Sequence, residues 1–263
     1  MSPIVLTAAG ITFVFMATCL GAAAVFFFKK PITANIRKMF LGFAAGIMIA
    51  ASVFSLLIPA VEEAEELGVP MWLPVIVGFS LGVLFIMCLD FILPHIHIGS
   101  GMEEGRPSGA KRSTLLMSAI ILHNIPEGIA VGLAFTIALN SGSETAFASA
   151  VALAIGIGIH NFPEGATVSL LFRNEGNSRM SSFLMGSVSG AVDFVFALIT
   201  IFLAVWLLPA MPWLLAFAAG AMMYVVVEEM IPEANLGEHS HVGTISVMIG
   251  FLVMMMLEVV LGH

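Results

Sequence analysis

The sequence has few charged residues and few cysteines. Only 10% of its residues are charged and 60% are hydrophobic, whereas an ordinary soluble domain has roughly 25% charged residues. So few charges cannot cover a surface that faces water, which excludes a soluble globular protein and predicts a chain solvated by lipid. The two cysteines, Cys19 and Cys88, lie inside apolar runs without a CxxC motif. The sequence therefore predicts neither a disulfide framework nor a thiolate metal site.

Long apolar runs are what the chain does have. A membrane-spanning helix needs about 20 apolar residues, and eight such runs follow one another along the 263 residues. We predict an all-α integral membrane protein with a single transmembrane domain over residues 1–263. The first run lacks a basic start and is too long for a signal peptide, so we expect it to be retained. The predicted spans are Ile4–Phe28, Met39–Ala60, Trp72–Leu93, Leu115–Leu139, Ala146–Phe172, Ser182–Leu208, Trp213–Ile231 and Val242–Leu261.

Basic residues are confined to alternate loops. By the positive-inside rule these loops are cytoplasmic, and they include the longest one, residues 99–113. We therefore predict a multi-pass protein of the cell (inner) membrane with both termini outside the cytoplasm. The basic residues follow the first, third and fifth runs: Lys29, Lys30, Arg37, Lys38, Arg106, Lys111, Arg112, Arg173 and Arg179.

Four glutamates stand in the second loop, on the predicted outer side. One interpretation is an entrance that raises the local cation concentration. The other is a simple solvated acidic helix end. The residues are Glu62, Glu63, Glu65 and Glu66.

The chain contains an internal repeat. Phe43–Met48 in the second span is similar to Phe217–Met222 in the seventh, and the segment from Met87 to His95 is similar to that from Met255 to His263. In the latter pair Glu258 takes the place of Asp90. Spans one to three thus pair with spans six to eight in inverted orientation, a 3+2+3 architecture typical of alternating-access transporters.

A duplicated hexapeptide carries the strongest chemical signal. HNIPEG at His123–Gly128 lies in the fourth span, and HNFPEG at His160–Gly165 lies in the fifth. His and Glu are four residues apart and stand on one helix face, with Asn about 100° further round. Each proline frees the carbonyl four residues earlier, that of Leu122 or Ile159, so we expect irregular backbone that lines a cavity or is buried in protein.

The two motifs are predicted to lie at similar depths in the membrane. His123 and His160 lie roughly 12 and 18 Å from the cytoplasmic ends of their spans, in the middle of a ~30 Å hydrocarbon core. Asp193, Glu228 and Glu229 add further buried acids, and no Lys or Arg lies in any predicted span. Protons or divalent cations must therefore balance the charge. Imidazole with carboxylate suits zinc, cadmium, iron(II) or manganese and argues against copper(I).

At these residues the sequence resembles the Zrt/Irt-like (ZIP) family of metal transporters, in particular its GufA-like bacterial branch. The resemblance covers nearly the whole chain and implies a binuclear metal centre between helices four and five. The implied ligands of the main metal are His123, Glu127, His160 and Glu164. Those of the second metal are Asn124, Asn161, Glu127 and Glu164.

The resemblance also implies accessory positions. Met48 and Ser55 match pathway positions of the second helix, Glu229 matches a central acid of the seventh, and Asp90 matches an acid that relays metal or protons. The sixth span departs from the family pattern Ser-Gly-x-x-Glu-Pro, because Asp193 and Phe194 replace Glu and Pro. Asp193 is thus a candidate ligand, and occupancy of the second site stays open. Further candidates for the pathway or its cytoplasmic end are Glu228, His95, His97, His239 and His241.

The predicted function is uptake of zinc, with cadmium, iron or manganese as alternatives, by alternating access; a channel-like pore is the alternative mechanism. The expected partners are the lipid bilayer and divalent cations, with no nucleic acid; a homodimer stays open. Two other functions compete with transport. An intramembrane metal hydrolase needs an open coordination position and usually an HExxH motif, which is missing here. A metal sensor would bind without transport.

Overall fold

The structure is a computed structural model. It describes residues 2–28, 33–96, 103–105, 112–204, 206, 208–235 and 241–261. Over these ranges the chain is almost entirely helical, and eight helices are long and apolar enough to cross a membrane. Their outer faces carry exposed large apolar side chains such as Phe91, Phe202 and Val260. The prediction of an all-α integral membrane protein with eight spans is confirmed.

The eight spanning helices are numbered α1 to α8. Both α2 and α7 consist of an α-helical part, a short π-helical segment and a second α-helical part. The bounds are α1 Pro3–Ala22 with Ala24–Phe27; α2 Ala34–Ala51, Ser52–Leu57 and Ile58–Glu66; α3 Trp72–Ile92; α4 Arg112–Ser141; α5 Glu144–Asn174; α6 Arg179–Ala204; α7 Met211–Val225, Val226–Met230 and Ile231–Ala234; and α8 Val242–Leu261.

Most helices extend beyond the apolar runs from which they were predicted. Arg37 and Lys38 lie in the first turns of α2, and Arg173 lies in the last turn of α5. Basic residues therefore occur at the ends of the spanning helices, where long side chains reach the interface. In contrast, α6 ends earlier than predicted, at Ala204, and Leu208 belongs to a 3-10 turn that leads into α7. We call the side with these basic residues the basic face and the side with Ser2 and Leu261 the terminal face.

Glycines bring the helices together in parallel pairs. A Cβ at Gly46 of α2 would lie 2.0 Å from the carbonyl oxygen of Val247 in α8, and one at Gly250 of α8 would lie 2.0 Å from that of Phe43. Backbones approach this closely only where side chains are absent, which is the usual way in which small residues drive helix packing in membranes.

The pair α3 and α7 repeats this arrangement. A Cβ at Gly82 would lie 2.0 Å from the carbonyl oxygen of Phe217, and one at Gly220 would lie 2.1 Å from that of Phe79. Gly46 and Gly220 occupy the same place in the two FAAG segments. The inverted repeat therefore appears in the packing as well as in the sequence, and it confirms the predicted 3+2+3 architecture.

The irregular backbone lies in α2 and α7. Their π-helical segments, Ser52–Leu57 and Val226–Met230, are both followed by Ile-Pro, which begins the next α-helical part. A π segment widens one turn and rotates the side chains that follow, and it is often found at functional sites. By contrast, α4 and α5 continue as α-helices through Pro126 and Pro163. The expectation of irregular backbone at these two prolines was therefore wrong.

A small antiparallel hairpin follows α3. Strand β1, His95–Ile96, pairs with strand β2, Glu103–Glu104, and β1 packs against α4. These residues lie within or beside the stretch 99–113 that was predicted to be a loop. Arg112, at the end of that stretch, already begins α4.

Candidate metal centre

The two hexapeptides face one another across α4 and α5. Glu127, His160 and Glu164 each offer one ligand atom, and these three atoms lie within 4.8 Å of one another. His160 Nε2 is 3.1 Å from Glu127 Oε1 and 3.9 Å from Glu164 Oε2. Glu127 and His160 are almost completely buried. One imidazole and two carboxylates, brought together inside the protein, form a donor set that suits zinc.

His123 is not part of this triad and contacts α7. Its Nε2 lies 2.5 Å from Glu229 Oε2, and both residues line the same cavity as the triad. The π segment of α7 contains Glu229 and turns its side chain inward, where it is buried. His123 and Glu229 thus link α4 to α7 beside the centre.

A second polar cluster joins α4, α5 and α6. Asn161 Nδ2 donates to Asp193 Oδ2 at 2.7 Å, and Asn124 Nδ2 donates to the same oxygen at 3.3 Å and to the carbonyl oxygen of Ser189 at 3.0 Å. Because both side-chain amide groups donate to Asp193, the side-chain oxygens of Asn124 and Asn161 do not take part in these hydrogen bonds. Among the residues that the structure describes, four buried oxygens here have no hydrogen-bond partner: Asn124 Oδ1, Asn161 Oδ1, Asp193 Oδ1 and Glu127 Oε2.

A cavity of about 70 Å³ connects the triad with the basic-face half of the helices. Its wall includes His123, Glu229 and Glu233 besides the triad, and Thr167 and apolar residues of α2, α4, α5 and α7 complete it. Met48, which was predicted to line the pathway, is fully buried in the apolar core and does not line this cavity.

A larger cavity of about 650 Å³ lies in the terminal-face half. Ser55, Glu62 and Glu258 line it, and the Ser55 hydroxyl donates to Glu258 Oε1. The π segment of α2 contains Ser55. Between the two cavities, the helices carry buried side chains: Ala51, Ala130, Val131, Leu153 and Ile157.

The last glycine of each hexapeptide lies at a close helix crossing. A Cβ at Gly128 would lie 2.5 Å from the carbonyl oxygen of Asp193 in α6, and one at Gly165 would lie 2.2 Å from that of Thr18 in α1. The motif therefore combines candidate metal ligands with the contact that fixes their helix. This explains why Gly follows Glu in both copies.

The remaining predicted residues lie nearer the basic face. Asp90 accepts a hydrogen bond from the hydroxyl of Tyr224 at 3.3 Å and lies 3.0 Å from His95 Nε2. His95 is fully buried, because β1 packs against α4. Glu228 is exposed, so its prediction as a buried acid was wrong, and His241 is exposed as well. His97 and His239 lie outside the described residues.

The pair of Asp90 and His95 holds the hairpin to α3. The neighbouring Asp90 carboxylate raises the pKa of His95 above its usual value, and His95 Nδ1 donates to the carbonyl oxygen of Leu93 at 2.9 Å. Because folding raises the pKa of His95, the pair stabilises the folded protein fully below the pKa of free histidine. This stabilisation is lost as the pH rises through the pKa of His95 in the folded protein.

The substitution Asp90→Asn tests this pair. We expect faster hydrogen exchange of the β1 amides in the variant than in the wild type at about pH 6, and a smaller difference at about pH 9. Mass spectrometry of both proteins at the same pH makes the comparison. An equal difference at both pH values would show that charge on His95 plays no part in holding the hairpin.

Two sequence signals were missed, one near each face of the protein. Glu233 follows Pro232 directly after the predicted end of the seventh span, and Glu258 was noted only as the counterpart of Asp90. Glu233 lies four residues after Glu229, the helical spacing that places two side chains on one face. This spacing could have identified Glu233 if the helix had been extended past Pro232.

The comparisons with known proteins agree with this architecture. The ZIP Zinc transporter family profile matches residues 103–258, more than half of the chain. The zinc transporter ZIP11 of Homo sapiens is 35% identical, covering 96% of this chain and 96% of its own length. The zinc transporter ZIPB of Bordetella bronchiseptica is 35% identical over 94% of this chain and 79% of its own. The zinc transporter GufA of Myxococcus xanthus is 38% identical over 80% of this chain and 81% of its own.

Eight spanning helices, together with this family match, define a metal-ion transporter of the membrane and not an enzyme. The chain belongs to the ZIP zinc transporter family. The resemblance noted at the two hexapeptides is thereby confirmed.

Proposed function

We propose that this protein takes up zinc through a metal centre between α4 and α5. The observation that carries the proposal is the buried triad of Glu127, His160 and Glu164, with all three ligand atoms within 4.8 Å of one another. Two carboxylates and one imidazole bind a divalent cation with near-neutral total charge. His123 is the fourth proposed ligand, because it lines the same cavity and lies one helical turn before Glu127.

A second cation is proposed beside the first. The four buried oxygens without partners belong to the residues that would hold it, and Glu127 would bridge the two cations through its two oxygens. An unpaired buried oxygen costs free energy, and a hard cation ligated by oxygen satisfies several at once. The shorter Asp193 still fits this role, because both asparagine amides orient it.

The proposed mechanism is alternating access. The inverted repeat is the arrangement on which such transporters are built. The cavity at the triad lies in the basic-face half, a layer of buried apolar side chains separates it from the terminal-face cavity, and both cavities carry carboxylates. We place the basic face in the cytoplasm by the positive-inside rule, with the protein in the inner membrane and both termini outside. In this orientation Glu62 and Glu258 would meet the entering cation.

The experiment is zinc flux into liposomes that contain the purified protein and a trapped zinc-sensitive dye. Flux in the wild type and its loss in the double variant His123→Ala, His160→Ala would support transport through this centre. Cadmium, iron(II) and manganese are tested in parallel to define the selectivity. Binding without flux under several pH gradients would contradict the proposal and favour a sensor.

Asp193→Asn tests the second cation. The asparagine side chain can still accept hydrogen bonds from Asn124 and Asn161 but lacks the negative charge. We expect the amount of cadmium bound at equilibrium to fall from two ions per chain to one, while the triad stays occupied. Elemental analysis of the dialysed protein measures this ratio. If wild type and variant bind the same number of ions, Asp193 does not hold a second cation.

A further inference from the structure

Glu233 is a buried carboxylate with no place in the metal centre described so far. It lies in the last helical part of α7, Ile231–Ala234, and only 7% of its surface is exposed. It lies near the basic-face end of this spanning helix, where the cavity of the triad reaches α7.

Glu233 shares a cavity with the triad. The cavity of about 70 Å³ is lined at one end by Glu127, His160 and Glu164 and toward the end of α7 by Glu229 and Glu233. Glu229 and Glu233 are four residues apart and therefore stand on one face of α7, one turn from each other. The carboxylates thus form a series that leads from the centre toward the basic face.

The rest of this wall is largely apolar. Phe40, Leu41, Val168 and Met230 line it, and the hydroxyl of Thr167 donates to the carbonyl oxygen of Pro163 in its own helix. The cavity has room for only a few water molecules. A divalent cation that crosses it keeps only part of its hydration shell, so protein ligands must replace the missing water.

Release from a tight site needs a weaker site nearby. Several sites in series, each strong enough to accept the ion and weak enough to pass it on, keep the barriers between them low. A single carboxylate beyond Glu229 is such a weaker site, because it offers fewer ligands than the triad.

We infer that Glu233 is the release ligand of the transporter: it accepts the cation from the centre and passes it to the basic face. The inference rests on the proposed function, since it assumes that the triad binds the transported ion. Glu233 acts in the exit step alone and contributes nothing to equilibrium binding at the triad.

Three variants test the inference in the liposome assay with Zn²⁺. For Glu233→Gln we expect flux to fall by roughly tenfold, the effect of about 1.4 kcal/mol on a barrier. Glu233→His should restore most of the flux, because imidazole is a zinc ligand and the glutamine amide is a poor one. Glu175→Gln is the matched control, since it removes the same charge from an exposed position outside the cavity; its flux should equal that of the wild type.

Equilibrium zinc binding, measured by competition with a chelating dye, separates release from binding. We expect the affinity of Glu233→Gln to stay within about twofold of the wild type. Wild-type flux in Glu233→Gln would overturn the inference. A loss of zinc binding in Glu233→Gln would also overturn it, because Glu233 would then belong to the centre itself. Flux in Glu233→His as slow as in Glu233→Gln would overturn it too, because only a structural role would then remain for Glu233. An inactive wild type would instead contradict the proposed function.

Discussion

Glu127→Gln is expected to abolish zinc flux. Glu127 Oε1 lies 3.1 Å from His160 Nε2, and its Oε2 is buried without a hydrogen-bond partner in the described part of the chain. Glutamine has nearly the same shape but removes one of the two negative charges of the triad. Changes to residues that merely support a metal ligand cost about 10–100-fold in affinity, so loss of a charged ligand should cost at least about 100-fold. Flux in the variant should equal that of protein-free liposomes.

Two measurements make the Glu127→Gln result specific. The variant should unfold at nearly the wild-type temperature, because the side-chain volume is conserved. Glu175→Gln should transport at the wild-type rate, because Glu175 is exposed and lies outside both cavities. Flux in Glu127→Gln above a tenth of the wild-type rate would exclude the triad as the transport site.

Gly165→Val is expected to have the second large effect, on folding. A Cβ at this position would lie 2.2 Å from the carbonyl oxygen of Thr18 and 3.1 Å from the nitrogen of Ala22. These atoms belong to the backbone and cannot rotate away. Overpacking costs about 1–3 kcal/mol, and we expect the upper end of this range here. The shift of α5 would also displace Glu164, so zinc binding should weaken together with stability.

Ala9→Val provides the control for Gly165→Val. Ala9 lies on an exposed part of α1, so the added methyl groups should meet lipid and leave the thermal unfolding midpoint in detergent unchanged. The same measurement should show a lower midpoint for Gly165→Val. An unchanged midpoint in Gly165→Val would mean that α1 and α5 can separate at little cost, and that the motif glycine has another role.

The eight spans could be predicted because their length and apolarity are directly visible in the chain. The family could be predicted from two short motifs, because His and Glu four residues apart in two neighbouring spans form an unusual pattern. The helix ends were less accurate. Helices extend past the apolar runs wherever polar residues reach the interface, and Glu233 was missed for this reason.

The arrangement inside the centre depends on tertiary packing. His123 and His160 hold the same position in the two hexapeptides, so the sequence does not distinguish them. In the structure His160 lies beside the two glutamates of the triad, whereas His123 contacts Glu229 of α7. This difference comes from the relative rotation of α4, α5 and α7, which the π segment of α7 helps to set. The motifs themselves gave no sign of that segment, nor of Asp193 as the shared acceptor of two asparagine amides.

The parallel pairing of the helices also determines the order of assembly. In four of the glycine-mediated pairs, the partners are separated by at least one other helix: α1 packs on α5, α4 on α6, α3 on α7 and α2 on α8. During synthesis α2 enters the bilayer long before its partner, and such distant contacts form late. Helices α2 and α3 therefore lack these close contacts until α8 and α7 of the second half have been made. A ribosome that stalls before α8 would leave a chain for membrane proteases to remove.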